Sequence, residues 1–249
     1  MWNRISTHGR CVAAGLAVVA LPGWSVSTTS TFSFARADDE PVNVVLSSRD
    51  ISASTTKAVA AHGVLVSMWT SELRRAGTTF RAPRLVRYRG TSRTSCGVMP
   101  ANNAAYCYDN NTIYFDELFL AAQAKIAGRA LGTDGDMAAV GIIAHEMGHA
   151  VAFQLGYRSR STYENESMAD CLAGAFAQHA GNEGTLEDGD VDEAFFAMAV
   201  AADPELDGDA DSRERSRLAR QAHGTREQRQ DNFRDGFEGG PGACLLDLR

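Results

Sequence analysis

The sequence has no excess of positive charge: its 24 Lys and Arg residues stand against 31 Asp and Glu residues, and its formal net charge is −7. Binding to nucleic acid or to anionic lipid depends on clustered Lys and Arg. The 249 residues also contain no internal repeat and no low-complexity tract, and 44% of them are hydrophobic, as in ordinary globular chains. We therefore expect no nucleic-acid partner, no charge-driven attachment to lipid and no general disorder.

Residues 1–37 have the pattern of an export signal. Arg4 and Arg10 form a positive segment, residues 11–21 form an apolar run too short to span a bilayer comfortably, and residues 35–37 (A-R-A) match a cleavage site. An uncleaved membrane anchor is the alternative interpretation. We predict a signal peptide over 1–37, a secreted or cell-envelope location, and no stable membrane insertion after cleavage. Loss of three arginines would shift the formal charge from −7 to −10.

Few cysteines are present, and their number is informative. Of the five cysteines, Cys96, Cys107, Cys171 and Cys244 would remain after cleavage. An even number in an exported chain indicates two disulfides, for which three pairings exist. We favour Cys96–Cys107, which closes a short loop, and Cys171–Cys244, which ties the C-terminus back to a helix.

The rest of the chain is expected to form one domain at 56–249, preceded by an N-terminal arm at 38–55 of unknown role. Helical spacing of apolar residues runs from 56 to 73, and strands are predicted in the 84–90 and 111–116 regions. The segment between the strands is interpreted as a disulfide-bearing loop. The expected fold is α+β and zincin-like, with a small sheet packed on metal-bearing helices.

Residues 137–155 are almost all apolar or small, which is typical of a buried helix, and Asp134 or Asp136 could cap it. Its middle carries His145, Glu146 and His149 in the pattern H-E-x-x-H. Side chains four residues apart share a helix face, so both imidazoles can bind one ion. Glu146 would lie beside that ion and could accept a proton from a water molecule. Two structural core histidines are the alternative.

A catalytic zinc ion needs a third protein ligand. Ala152 and Leu155 replace the Gly and His of the metzincin pattern, so the ligand must come from elsewhere. A second predicted helix carries Glu166 and Asp170 on one face. We predict that Glu166 is the third ligand and that Asp170 accepts a hydrogen bond from a ligand imidazole. Ordinary surface acids near a helix N-terminus are the alternative.

A further histidine, His223, precedes a junction at which Thr225 could cap a last helix. A peptidase needs a donor that meets the negative charge developing on the scissile carbonyl oxygen. We take His223 as the first candidate for this catalytic role, and Tyr163 or Tyr114 as the second. A capping turn with an incidental histidine is the alternative interpretation of His223.

With these motifs in this order, the chain resembles the predicted neutral zinc metallopeptidases of bacteria. The resemblance depends on Tyr106-Cys107 followed by I-Y-F-D at 113–116, on H-E-x-x-H, on E-S-M-A-D-C-L-A-G at 166–174, and on H-G-T-x-x-Q-R at 223–229 with Phe233 and Gly236. It implies a gluzincin-like site in which His145, His149 and Glu166 bind the metal and Glu146 is the base. The sequence departs from the family at Ala152, where a Gln is common.

The sequence thus predicts a secreted zinc-dependent metallopeptidase that hydrolyses peptide bonds of a peptide or protein substrate with a water activated by one Zn²⁺ ion. A strand beside the site could align an extended substrate by β-addition. Two other classes stay open: a zinc amidase acting on cell-wall peptides, and a non-catalytic, disulfide-bonded binding module that contains zinc. Glu146 argues against the module, because a structural zinc site has no use for a base.

Overall fold

A computed structural model of the chain describes residues 29–35, 41–202 and 223–245. Within these segments, six helices and three small sheets form the fold, which confirms the predicted α+β, zincin-like class. In the same segments, no helix combines the length and the apolar character needed to cross a bilayer. Most of the predicted signal peptide, including the apolar run at 11–21, lies outside the described residues.

The segment predicted as an N-terminal arm contains a strand and the start of a helix. Strand β1 (Thr29–Ala35), which falls inside the predicted signal peptide, pairs antiparallel with β2 (Pro41–Ser47). Helix α1 (Ser48–Arg75) begins eight residues before the expected start, so the end of the predicted arm is helical. The reason is a capping box, in which Asp50 N donates to Ser47 Oγ over 3.2 Å and Ser47 N donates to Asp50 Oδ2 over 2.7 Å.

The central sheet places a short strand at its edge. The remaining strands are β3 (Arg84–Tyr88), β4 (Ser92–Thr94), β5 (Gly97–Met99), β6 (Ala104–Cys107) and β7 (Thr112–Asp116). The sheet has the order β3-β7-β6, with β3 parallel and β6 antiparallel to β7. The predicted strands correspond to β3 and β7, whereas β6 lies in the segment expected to be a loop. Cys96 and Cys107 are paired, with 5.7 Å between their Cα atoms.

Five helices follow the sheet in the chain, and one of them packs against most of the others. They are α2 (Glu117–Leu131), α3 (Asp136–Gln154), α4 (Thr162–Asn182), α5 (Asp190–Val200) and α6 (Arg226–Cys244). Helix α3 packs against α1, α2, α4 and α5, and most of its residues are buried, as its apolar composition predicts. The H-E-x-x-H residues are therefore held in the middle of the core.

The N-terminus of α3 is capped by a residue that is distant in the sequence. Neither Asp134 nor Asp136 caps it, contrary to the prediction. Instead, the fully buried carboxylate of Glu193 on α5 accepts hydrogen bonds of 2.8 Å from the backbone nitrogens of Gly135 and Met137. A carboxylate at this position satisfies backbone donors and favours the positive end of the helix dipole. This contact locks α5 to the start of the metal-bearing helix.

Helices α4 and α6 cross at very close range. A Cβ atom on Gly174 would overlap the backbone carbonyl oxygen of Phe233, and one on Gly236 would overlap that of Cys171. Only glycine permits this approach. The predicted Cys171–Cys244 pair joins the same two helices, with 5.6 Å between Cα atoms and a sequence separation of 73. Helix α6 is thereby held against α4, and its first turns lie beside the predicted site.

Candidate metal centre

Three side chains from two helices converge on one point. His145 and His149 project from one face of α3, and their Nε2 atoms are 3.1 Å apart. Glu166 on α4 places Oε2 3.1 Å from His145 Nε2 and Oε1 3.3 Å from His149 Nε2. These ligand atoms form a candidate metal-binding group in which all lie within 4.8 Å of one another. The structure thus brings together the three residues predicted as ligands.

The spacing of these donors fits zinc. Two ligands of a tetrahedral ion with bonds of about 2.0–2.1 Å lie about 3.3 Å apart. The observed separations of 3.1–3.3 Å agree with this value. Two imidazoles and one carboxylate are also a donor set that catalytic zinc uses, with a fourth position left for water or substrate. A Zn²⁺ ion could therefore be held by His145, His149 and Glu166.

Asp170 fixes the orientation of the first imidazole. Its Oδ1 is 2.7 Å from His145 Nδ1, and the carboxylate is completely buried. With a proton on Nδ1 donated to Asp170, the Nε2 lone pair of His145 is directed toward the convergence point. The predicted contact between Asp170 and a ligand imidazole is present, and His145 is the imidazole involved.

A buried arginine completes this network. Arg229 on α6 donates through Nε and Nη2 to the two oxygens of Asp170, over 3.0 Å and 2.7 Å, and through Nη1 to the carbonyl oxygen of Ala201 over 2.9 Å. Its side chain is only 3% exposed. Sequence reasoning included Arg229 in a motif but gave it no role, because nothing local distinguishes a buried arginine on a polar helix from an exposed one.

The electrostatics of the site favour a bound cation. Burial lowers the pKa of His145, but the carboxylates of Asp170 and Glu166 outweigh it and raise the pKa to about 10. Burial raises the pKa of Glu166, but hydrogen bonds from His145 and His149 outweigh it and lower the pKa below its usual range. The shift of His145 expresses the negative charge of the two carboxylates beside it, and the shift of Glu166 shows that its carboxylate is stabilised in the ionised form that binds a metal.

Glu146 is anchored by the sheet. Its carboxylate is buried next to the three donors, and Oε2 accepts a hydrogen bond of 2.7 Å from the backbone nitrogen of Tyr106 on β6. Its Oε1 accepts no hydrogen bond within the described part of the chain. Sequence reasoning missed this contact, since a backbone donor leaves no signature in the side-chain pattern.

The group opens into a cleft of about 990 Å³ that runs along α3 between β6 and the helices α4, α5 and α6. Apolar side chains line one end, namely Phe119, Ile142, Ala197, Met198 and Val200. Tyr108, Phe153, Tyr157 and Arg158 line the other end.

Of the candidate oxyanion donors, the structure brings only one to this cleft. The exposed His223 lines it. Tyr163 is not among the lining residues, and its ring lies against Gly224. Tyr114 is buried on β7, where its hydroxyl oxygen accepts a hydrogen bond of 3.0 Å from Asn110 Nδ2. His223 is therefore the candidate that the placement favours.

The chain matches a family of zinc peptidases over most of its length. The model of the family described as "Putative neutral zinc metallopeptidase" matches residues 50–245, and the chain belongs to that family. The match begins within α1, whereas the motifs recognised in the sequence began only near Cys96.

Relatives occur in Escherichia coli and in mycobacteria. The chain is 32% identical over 228 residues to "Uncharacterized protein YpfJ" of Escherichia coli K12, an alignment that covers 82% of this chain and 77% of the relative. It is 29% identical over 189 residues to "Uncharacterized protein Mb2605" of Mycobacterium bovis and to "Uncharacterized protein Rv2575" of Mycobacterium tuberculosis, with 66% of this chain and 62% of each relative covered. No solved structure matches the chain significantly.

Proposed function

We propose that the protein is an exported zinc-dependent metallopeptidase that hydrolyses peptide bonds in a peptide or protein substrate. The observation that carries the proposal is Glu146. Its Oε2 is held by Tyr106 N, while Oε1 stays available beside the convergence point of His145, His149 and Glu166. A structural metal site needs no such carboxylate, and a hydrolytic site needs one.

The edge strand supports a peptide as substrate. Among the described strands, β6 is bonded only to β7, and its other edge, on which Tyr106 N donates to Glu146, faces the cleft. Alternate residues of a strand present their backbone to the same edge, so the backbone of Ala104, which also lines the cleft, faces it as well. An extended peptide could pair with this edge and pass the scissile bond over the metal ligands.

In the proposed reaction, a bound Zn²⁺ ion would supply Lewis acidity, which lowers the pKa of a water and polarises the scissile carbonyl. Glu146 accepts a proton from the attacking water and returns it to the nitrogen of the leaving amine. His223 donates a hydrogen bond to the carbonyl oxygen as negative charge develops there. The Arg229–Asp170 pair keeps His145 oriented throughout.

Export is supported by the pattern of residues 1–37 and by the two cysteine pairs, since disulfides persist in oxidising compartments. Cleavage of the signal can be measured as the N-terminal mass of protein recovered from culture medium or cell envelope. We expect a chain that begins at Asp38.

The test of the proposed activity is Glu146→Gln, which keeps the shape of the side chain but cannot accept a proton. We expect zinc content to stay at the wild-type level and casein hydrolysis to fall by about a hundredfold or more. Glu164→Gln, at an exposed position on α4, is the matched control and should leave both unchanged. Loss of zinc in Glu146→Gln would show that Glu146 holds the metal. Hydrolysis of cell-wall muropeptides but not of casein would favour the amidase.

A further inference from the structure

The end of the cleft beyond His149 carries a fixed cation. Arg158 and the buried Arg229 are the two arginines that line the cleft in the described residues, and no lysine lines it there. Arg229 is fully engaged with Asp170 and Ala201, whereas Arg158 is exposed. Arg158 is therefore the positive group that a substrate in the cleft can reach.

The position of Arg158 is set by the way α3 ends. Gly156, with a φ of 86°, lets the chain reverse, and the bonds Tyr157 N to Ala152 O (3.0 Å) and Gly156 N to Phe153 O (3.2 Å) form a Schellman motif. Arg158 then returns over the helix end, where Nη1 donates to the carbonyl oxygen of Phe153 over 2.9 Å. The backbone thus directs the guanidinium toward the cleft wall.

Contact with an aromatic ring also supports the guanidinium. It lies over the ring of Phe153, with 3.6 Å from its central carbon to the ring centroid. The ring of Tyr108 stacks on the same phenyl ring at 5.5 Å and an interplanar angle of 22°. Arg158 is held in place before any substrate arrives, so less conformational entropy is lost on binding. Its Nε and Nη2 have no hydrogen-bond acceptor within the described segments.

We propose that Arg158 is a specificity-determining residue that binds a substrate carboxylate about two residues from the scissile bond. The distance follows from the helix, because Phe153 lies four residues beyond His149, or about 6 Å along the axis. An extended peptide advances about 3.3 Å per residue and covers this distance in about two residues. The shared chemistry is a carboxylate, which either an acidic side chain or a free C-terminus supplies.

This inference rests on the proposed peptidase function, because it concerns the same cleft. Its test therefore measures binding as well as cleavage. Zinc-loaded Glu146→Gln protein is mixed with fluorescent peptides in which one Glu is moved along an alanine-rich sequence, each matched by a Gln peptide. A second pair compares a free C-terminal acid with its amide. Affinities come from fluorescence polarisation, and kcat/KM values for the same peptides come from the wild type.

We expect about fivefold tighter binding of the acidic member of a pair at one position, and a smaller preference at high salt. Arg158→Gln in the Glu146→Gln background should reduce that ratio to about one. Arg158→Lys, which keeps the charge but not the planar, stacked guanidinium, should restore part of the preference for the acidic peptide. Arg160→Gln, at an exposed position outside the cleft lining, should retain the full ratio.

An equal affinity for acidic and neutral peptides, or a preference that survives Arg158→Gln, would overturn the assignment of Arg158. An Arg158-dependent preference in binding without any cleavage by the wild type would leave this assignment standing and refute the peptidase function. A preference confined to the acid–amide pair would identify the free C-terminus as the source of the carboxylate.

Discussion

Replacement of Arg229 by methionine should destabilise the protein strongly. Asp170 is completely buried and accepts hydrogen bonds from Arg229 Nε and Nη2 over 3.0 Å and 2.7 Å. In Arg229→Met, that carboxylate keeps only His145 as a charged partner. Removal of one partner from a buried ion pair costs about 3–5 kcal/mol, because the other charge stays desolvated. For a domain of this size, we expect the midpoint of thermal unfolding to fall by about 10 °C.

The assay is urea unfolding of chelator-treated protein with its disulfides intact, so that metal affinity does not contribute to the measured free energy. A double-mutant cycle separates the ion pair from simple loss of packing. Asp170→Asn alone leaves a buried guanidinium, but the Asp170→Asn/Arg229→Met protein leaves neither charge. The double variant should therefore lose about 2–3 kcal/mol less than the sum of the single variants.

Arg234→Met is the matched control, since Arg234 lies on the same helix, is half exposed and pairs with Asp231. Its free energy of unfolding should stay within about 0.5 kcal/mol of the wild type. A loss of unfolding free energy below about 1 kcal/mol in Arg229→Met would refute the argument that this variant leaves a desolvated charge. Additive effects of the two single variants in the cycle would refute it as well.

Three further predictions concern the metal, the helix crossing and the oxyanion. The pKa of His145 is raised to about 10, so the imidazole is protonated below that pH and zinc must displace its proton. Competition with a chelator should show that the affinity for zinc falls about tenfold for each pH unit between about pH 9 and about pH 7. An affinity that does not change with pH would contradict this reasoning. Gly236→Ala should cost at least about 1–3 kcal/mol because its Cβ meets the Cys171 carbonyl, whereas Gly63→Ala, with nothing within 4 Å, should be neutral or slightly stabilising in the same unfolding assay. His223→Ala should lower kcat by about two to three orders of magnitude at unchanged zinc content, and full activity would exclude His223 as the oxyanion donor.

The parts of the site that sequence reasoning anticipated are those with a local pattern. His145, Glu146 and His149 lie within about one turn of a buried helix, and Glu166 and Asp170 repeat that spacing on the next helix. A helix of known period converts such spacings directly into shared faces. The favoured disulfide pairing, one of the three that four cysteines allow, is also the one in the structure.

The contacts that sequence reasoning missed join residues far apart in the chain. Glu193 caps α3 from 56 and 58 residues away, and Arg229 reaches Asp170 across 59 residues. Their side chains look like those of solvent-facing residues until the packing of α5 and α6 is known. The start of α1 was missed for a different reason, because a capping box at Ser47 outweighed the polar composition of the first turns.

The dependence of Asp170 on Arg229 of α6 has a consequence for the order of assembly. A growing chain that has emerged only through α5 already contains His145, His149, Glu166 and Glu146. It does not yet contain Arg229, whose guanidinium neutralises Asp170, or Cys244, which joins α6 to Cys171 on α4. The final architecture of the centre is therefore reached only after α6 has been made and has docked against α4.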